Sequence, residues 1–238
     1  MSEIVIFSDL HLRSKEDENY QLFLKILNEI SQQNPSEIWL LGDIFDVMIG
    51  PFHYWVEKHQ EFFDRFRSLS KQNVKLLWIE GNHDFFIREL AQKHGFDVCD
   101  GQLIKNIHGK KVYLAHGDLV DSSDLSYLKW RNFTRNKTIR RIIKCFPSNF
   151  AAKKIESIGK KLSEQSRKRK AYWKVKLEEQ KKIFQDFAVE KIHHGFHGVF
   201  LGHSHIPELH RENTRGFYLN LGSWTVSYTH LRAHETAQ

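Results

Sequence analysis

Five apolar, strand-like runs in this chain stop on residues that are awkward to bury. "IVIFSDLHL" ends in Asp9 and His11, "IWLLGDIFD" reaches Asp43, "VKLLWIEGNHD" closes on Asn82, His83 and Asp84, "VYLAHGD" delivers His116, and "VFLGHSH" delivers His203 and His205. Each of these side chains loses hydration beside an apolar run and needs a hydrogen-bond or metal partner to offset the loss. The polar strand ends must therefore meet one another or meet a ligand.

Helical patterns lie between the runs, among them "NYQLFLKILNEISQ", "YWVEKHQEFFDRFRSLS" and "FFIRELAQKHG". Strand and helix in alternation predict βαβ units around a parallel sheet buried on both faces, hence an α/β fold. Three later segments, "KVYLAHGD", "GVFLGHSH" and "GFYLNLGSW", are again strand-like. Over 121–195 the strand pattern gives out, and apolar residues such as Ile139, Ile142, Ile143, Phe146, Ile155, Ile158 and Leu162 recur at helical spacing. This stretch reads as a basic helical insertion of three helices, with breaks at Pro147 and Gly159. The expected division is a core of 1–120 and 196–225, the insertion at 121–195, and a tail at 226–238, "VSYTHLRAHETAQ", that is non-native or disordered.

The net charge of +7 is unevenly spread: between Lys129 and Lys176, 17 Lys or Arg stand against two acids, Glu156 and Glu164, while the rest of the chain is net acidic. A solvated helical face is the ordinary account of a charge run, but two acids are too few to form the usual intrahelical pairs. Such a surface suits phosphates, anionic headgroups or nucleic acid. Cys99 and Cys145 stand far apart without metal-like spacing, which predicts a reducing compartment. No run reaches the roughly 18 to 20 apolar residues needed to span a bilayer, so the expectation is a soluble or peripheral protein.

In open α/β sheets ligands sit outside the carboxyl ends of strands, so the polar strand ends should converge, and converging carboxylates and imidazoles imply metal. Hard donors (Asp9, Asp43, Asn82) mixed with imidazoles (His11, His116, His203, His205), without thiolate, suit Mn²⁺, Fe²⁺, Zn²⁺ or Ni²⁺ better than Ca²⁺ or a structural thiolate zinc site. Seven ligands fit two ions, with Asp43 as the natural bridge, since its two oxygens can serve cations about 3.5 to 4 Å apart. Any one of these histidines alone would be read as a satisfied core or surface residue. Five strand ends in order are not read that way.

The blocks D-x-H, G-D, G-N-H-D, a later H, and G-H-x-H, running from Asp9 to His205, resemble those of the calcineurin-like metallophosphoesterases. The resemblance implies a β-sandwich of two sheets flanked by helices (αββα), with the insertion as a lid. It also implies two divalent ions, foremost Mn²⁺, one on Asp9, His11, Asp43 and His205 and the other on Asp43, Asn82, His116 and His203. The chemistry implied is phosphate ester or anhydride hydrolysis by an activated water. His83, left off the metals, is expected to stabilise charge on the phosphate or protonate the leaving group, with Asp84 orienting its ring.

"LLGDIFDVMIG" and "YLAHGDLVDSSDLSYLKWRNFTRN" further resemble the branch of this family that cleaves the pyrophosphate of UDP-2,3-diacylglucosamine in lipid A synthesis, giving UMP and 2,3-diacylglucosamine 1-phosphate. That branch carries an arginine where His83 stands here. The likeness implies a nucleotide-sugar lipid substrate met by Asn82, Tyr127, Trp130, Arg131, Arg135 and Lys144. It also implies a cytoplasmic protein, peripheral on the anionic cytoplasmic face of the inner membrane. A nuclease or nucleotide phosphodiesterase gripping phosphates with the basic segment is the alternative, placed second because few aromatics interleave as a stacking platform.

Overall fold

The structure, a computed structural model, describes residues 3–145, 149–170, 176–224 and 231–232, excepting the side chains of 144, 162–170, 176 and 231–232. The first half of the chain gives Ile4–Phe7 (β1), Glu18–Gln32 (α1), Glu37–Leu40 (β2), Met48–Ile49 (β3), His53–Lys58 (α2), Gln60–Lys71 (α3), Lys75–Glu80 (β4), Asp84–Phe85 (β5), Arg88–Gln92 (α4) and Phe96–Asp100 (β6). The second half gives Gln102–Ile107 (β7), Lys110–Ala115 (β8), Leu125–Thr134 (α5), Lys137–Cys145 (α6), Asn149–Lys170 (α7), Lys176–His193 (α8), Gly198–Leu201 (β9), Glu208–Glu212 (β10), Gly216–Asn220 (β11) and Leu231–Arg232 (β12). One five-stranded sheet has the order β12-β1-β2-β4-β6, in which β1, β2, β4 and β6 are parallel; the other has the order β10-β11-β9-β8-β7.

The apolar runs of the first sheet are continuous because both of its faces are covered. Alternate residues Ile4, Ile6, Trp39, Leu41, Leu77 and Ile79 point into the sandwich, against Val112, Leu114, Phe200, Leu219 and Leu221 of the second sheet. The intervening Val5, Phe7, Ile38, Leu40, Leu76 and Trp78 face the helical layer on the other side, built from Tyr20, Phe23, Leu24, Leu27 and Ile30 of α1 and Phe62, Phe63, Phe66 and Leu69 of α3. On α1 these residues keep the spacing of one helical stripe, and Asp17 caps the helix by accepting the Asn19 N–H at 3.1 Å. Two packed sheets with helices outside give the αββα layering.

The region 121–195 differs from expectation in detail. Among the described residues it holds four helices rather than three, and Gly159 lies inside α7 instead of breaking it; Pro147 lies outside the described residues. Gly159 is small for a packing reason: a Cβ there would stand 2.7 Å from Cγ2 of Val47, which is itself buried. The last helix of the region, α8, covers the outer face of the second sheet through Phe184, Ala188 and Ile192, packed on Tyr113, Val199, Leu201 and Tyr218. Of the expected tail, Leu231 and Arg232 pair antiparallel with Ile6 and Val5, so this piece extends the sheet edge; the remainder lies outside the described residues.

Helix α7 is held by Ala152 and Ile155 against the first core and by Glu156, which accepts from Tyr54 Oη, Lys58 Nζ (2.5 Å) and Lys160 Nζ (2.7 Å). Burial pushes the Glu156 carboxyl up, but the donors from Lys160, Lys58 and Tyr54 prevail and hold it down at about 2. Replacing Gly159 by valine should push α7 off Val47 and cost about 1 to 3 kcal/mol, read as a lower chemical-denaturation midpoint. A midpoint equal to that of the parent protein would show that α7 does not press on this loop.

Candidate metal centre

The strand ends of both sheets open onto one cup. From the first sheet β1, β2 and β4 deliver Asp9 and His11, Asp43, and Asn82 and His83; from the second, β8 and β9 deliver His116, and His203 and His205. Backbone bonds stitch the loops together: Asp9 N–H to Gly42 O (3.1 Å), His11 N–H to Asp43 O (3.0 Å), Leu12 N–H to Ile44 O (2.9 Å) and Gly202 N–H to His116 O (2.8 Å). Asp9, His11, Asp43, His203 and His205 all adopt left-handed backbone, with φ between 47° and 64°. For residues other than glycine this costs on the order of 1 to 3 kcal/mol each and persists only where surrounding structure dictates it.

The side chains form overlapping groups. Asp9, His11 and His205 offer ligand atoms within 4.8 Å of one another, as do Asp43, His116 and His203, and also His11, Asp46 and His83. The Asp43 carboxylate links its own group to the first, with Oδ1 3.5 Å from His116 Nε2 and Oδ2 4.0 Å from His11 Nε2. Asn82 Oδ1 lies 3.0 Å from His116 Nε2. The His11 and His205 rings stack 5.1 Å apart, and the Asp9 carboxylate accepts the His203 N–H at 3.0 and 3.1 Å.

His116 shows why these residues fit cations. Its Nδ1 faces the Leu41 carbonyl at 2.9 Å and must donate there, which leaves Nε2 aimed at Asn82 Oδ1, Asp43 Oδ1 and His203 Nδ1 (3.2 Å). His203 Nδ1 can donate to it, but the Asn82 and Asp43 oxygens meet it acceptor to acceptor unless positive charge lies between them. Burial opposes charge on the ring, yet Asp43 and Asp9 raise His116 to about 10, so without metal a proton meets this need. His11 Nε2 is buried and makes no hydrogen bond, and burial foremost pushes that imidazole well below its ordinary value, so it stays neutral with a lone pair available. The donor set of oxygens and neutral imidazoles suits divalent metal ions.

Asp84 takes a different part from the one expected. Its carboxylate accepts three backbone N–H groups, from Gly81 (2.8 Å), Asp43 (3.0 Å) and Ile44 (2.8 Å), and does not touch the His83 ring. Burial and then the charge of Asp43 push Asp84 up to about 7, against the pull of the Gly81 and Ile44 donors. Gly81 has to be glycine here because a Cβ would overlap the Asp43 amide and the carboxylates of Asp43 and Asp84. The His83 ring is oriented instead by Asp46, whose carbonyl accepts from Nδ1 at 2.7 Å, leaving Nε2 4.0 Å from Asp43 Oδ2 at the partly exposed rim.

Sequence reading missed Asp46, which lies 4.0 Å from His11 and pairs with Arg13 at 3.3 Å, and Asp118, which receives Tyr127 Oη and Arg131 Nε at 2.7 Å each. Both stood in plain view as the second Asp of "GDIFD" and the Asp of "HGD". Of the expected substrate contacts, Tyr127 lies beside His203 (ring centroids 6.0 Å apart) and Trp130 is exposed next to it. Arg131 and Arg135 are engaged with acids of the body: Arg131 is bound to Asp118, and Arg135 to Asp100, to Glu80 (3.5 Å) and to the Gly81 carbonyl (2.6 Å). The Lys144 side chain lies outside the described residues. Asp84→Ala would orphan three buried N–H groups, so metal content and activity should fall together, with a stability loss of roughly 3 kcal/mol. Full metal content with activity alone lost would instead give Asp84 an acid–base role.

Residues 2–207 match the sequence profile of the family described as calcineurin-like phosphoesterase. The chain is 29% identical over 231 residues to the UDP-2,3-diacylglucosamine hydrolase of Haemophilus influenzae (strain PittGG), covering 96% of this chain and 93% of that one. It is 26% identical over 233 residues to the protein of the same name from Neisseria meningitidis serogroup B, covering 96% and 92%. Among solved structures, phosphopantetheinyl hydrolase from Mycobacterium tuberculosis aligns with a TM-score of 0.46 and 11% identity, over 100% of this chain and 97% of that chain. A profile match over most of the chain makes this protein a member of the calcineurin-like phosphoesterases, hydrolases of phosphoric esters and anhydrides that work with divalent metal ions.

Proposed function

We propose that the protein hydrolyses the pyrophosphate of UDP-2,3-diacylglucosamine, releasing UMP and 2,3-diacylglucosamine 1-phosphate, with two Mn²⁺ ions. The observation that carries this reading is the extent of the likeness to proteins named for that substrate, which spans the helical region 121–195 as well as the core. Apolar side chains exposed on that region, Trp130 and Phe133 of α5, Ile142 of α6 and Phe150 and Ile158 of α7, offer acyl chains a surface. The cations among them suit an anionic membrane face, where the protein would work as a peripheral enzyme. No helix among the described residues is long and apolar enough to cross a membrane.

One cation would be held by Asp9, His11, Asp43 and His205, and the other by Asp43, Asn82, His116 and His203. When bound, the pair supplies Lewis-acid charge to the phosphoryl oxygens and acidifies the attacking water. The protein's own contribution is to present those donors already oriented: Leu41 O fixes the His116 tautomer, and the His203 amide holds the Asp9 carboxylate. His83 keeps Nδ1–H on the Asp46 carbonyl, so a proton carried at Nε2 faces the cup, where it can stabilise charge or pass to the leaving oxygen.

The test is incubation with Mn²⁺ and the acylated nucleotide sugar presented in anionic vesicles, beside bis-p-nitrophenyl phosphate and single-stranded DNA. UMP release from the lipid that far outpaces the other two, and weakens with added salt, is expected. Preferential cleavage of DNA would favour the nuclease reading. His83→Ala should lower turnover about 10² to 10⁴-fold with metal content near that of the parent protein; loss of metal alongside would make His83 structural.

A further inference from the structure

Helix α5 sits on the body of the protein in an unusual way. It has no buried residue, and Leu125, Trp130 and Phe133 all face outward. What holds it is a polar stripe, Tyr127, Arg131 and Arg135, spaced four residues apart and so on one face of the helix or its immediate cap. Tyr127 Oη and Arg131 Nε both end on Asp118 Oδ2 at 2.7 Å, and Arg131 reaches Asp100 at 3.5 Å. Arg135, with only 7% of its side chain exposed, binds Asp100, Glu80 at 3.5 Å and the Gly81 carbonyl at 2.6 Å, and its guanidinium lies 5.1 Å over the Phe85 ring.

The two ends of this stripe grip different sheets. Asp118 stands two residues beyond His116 on the loop after β8, whereas Gly81 directly precedes Asn82 on the loop after β4. His116 Nε2 and Asn82 Oδ1 are the two atoms that these loops bring to 3.0 Å. We infer that Asp118 and Arg135 are positioning residues that act through α5 as a brace between the sheets, setting the spacing of Asn82 and His116. This rests on the two-cation reading above, in which those two residues serve the same ion. A lone arginine anchor would need one acid; here the guanidinium fork is spread over two acids and a backbone carbonyl, an arrangement that fixes a plane as well as a position. Glu80 and Asp118 are buried and Arg135 nearly so, so breaking the brace also leaves buried charge unpaired and lowers the denaturation midpoint; what sets a brace apart from a mere support is an effect confined to one of the two cation sites.

Arg135→Gln and Asp118→Asn test this, with Mn²⁺ affinity of each site read by chelator competition, amide hydrogen exchange at residues 81–84 and 116–118, and the denaturation midpoint. The brace predicts that the site served by Asn82 and His116 weakens about 10- to 100-fold while the other holds, and that exchange quickens at both loops more than in the sheets, even where the midpoint falls. Parent-like affinities with parent-like exchange would overturn it. So would equal weakening of both sites with exchange quickened throughout the sheets, which would make these residues mere supports of the fold. Should the parent protein bind fewer than two Mn²⁺ ions, the two-cation reading fails by itself, and exchange alone decides: exchange quickened at the two loops beyond that of the sheets upholds the brace, and unchanged or uniformly quickened exchange overturns it.

Discussion

Acceptors that face acceptors govern this molecule. His116 spends its one neutral N–H on the Leu41 carbonyl and turns a bare nitrogen toward an amide oxygen, a carboxylate and another imidazole. In water such a set would drift apart; in a buried cup of low dielectric the repulsion is larger and the groups cannot leave. Positive charge at the centre satisfies the two oxygens and the imidazole together. A protein that builds such a cup has committed itself to a cation, or to a proton in its place.

Holding the cup open has its own cost, set in the backbone. Five of the residues that converge there sit in left-handed conformations that side chains disfavour. The strain is offset by features beneath and beside it: the dry interface between the two sheets, the hydrogen bonds that lace loop to loop, and the Asp84 carboxylate that gathers three amides at one point. Rigid loops of this kind present metal donors without rearrangement, which is how strain at a site becomes part of its chemistry.

The helices of 121–195 attach by three different physical means. α8 is bound by apolar burial and behaves as a layer of the sandwich. α7 combines a small residue at a close approach, buried Ala152, and a carboxylate shared by Tyr54, Lys58 and Lys160. α5 depends chiefly on ion pairs and hydrogen bonds, with the Arg135 guanidinium over the Phe85 ring. Apolar burial reaches the metal cup as well: Phe184 of α8 packs close to Gly117, the neighbour of His116, while Trp130 and Phe133 of α5 stay exposed.

The sequence by itself determined the alternation of strand and helix, the apolar runs with two covered faces, and the order of polar strand ends, because these follow from local periodicity and from the cost of burying a polar group beside an apolar run. It could not reveal that Asp84 serves backbone amides while Asp46 orients His83, nor that Arg131 and Arg135 pair with Asp118, Asp100 and Glu80. It likewise misread Gly159 as a break, since what makes that residue small is Val47, more than a hundred positions earlier. Those outcomes belong to the tertiary structure, for a physical reason: which partner a polar group takes depends on distances between loops from different sheets, and only the packing of the sandwich sets those distances.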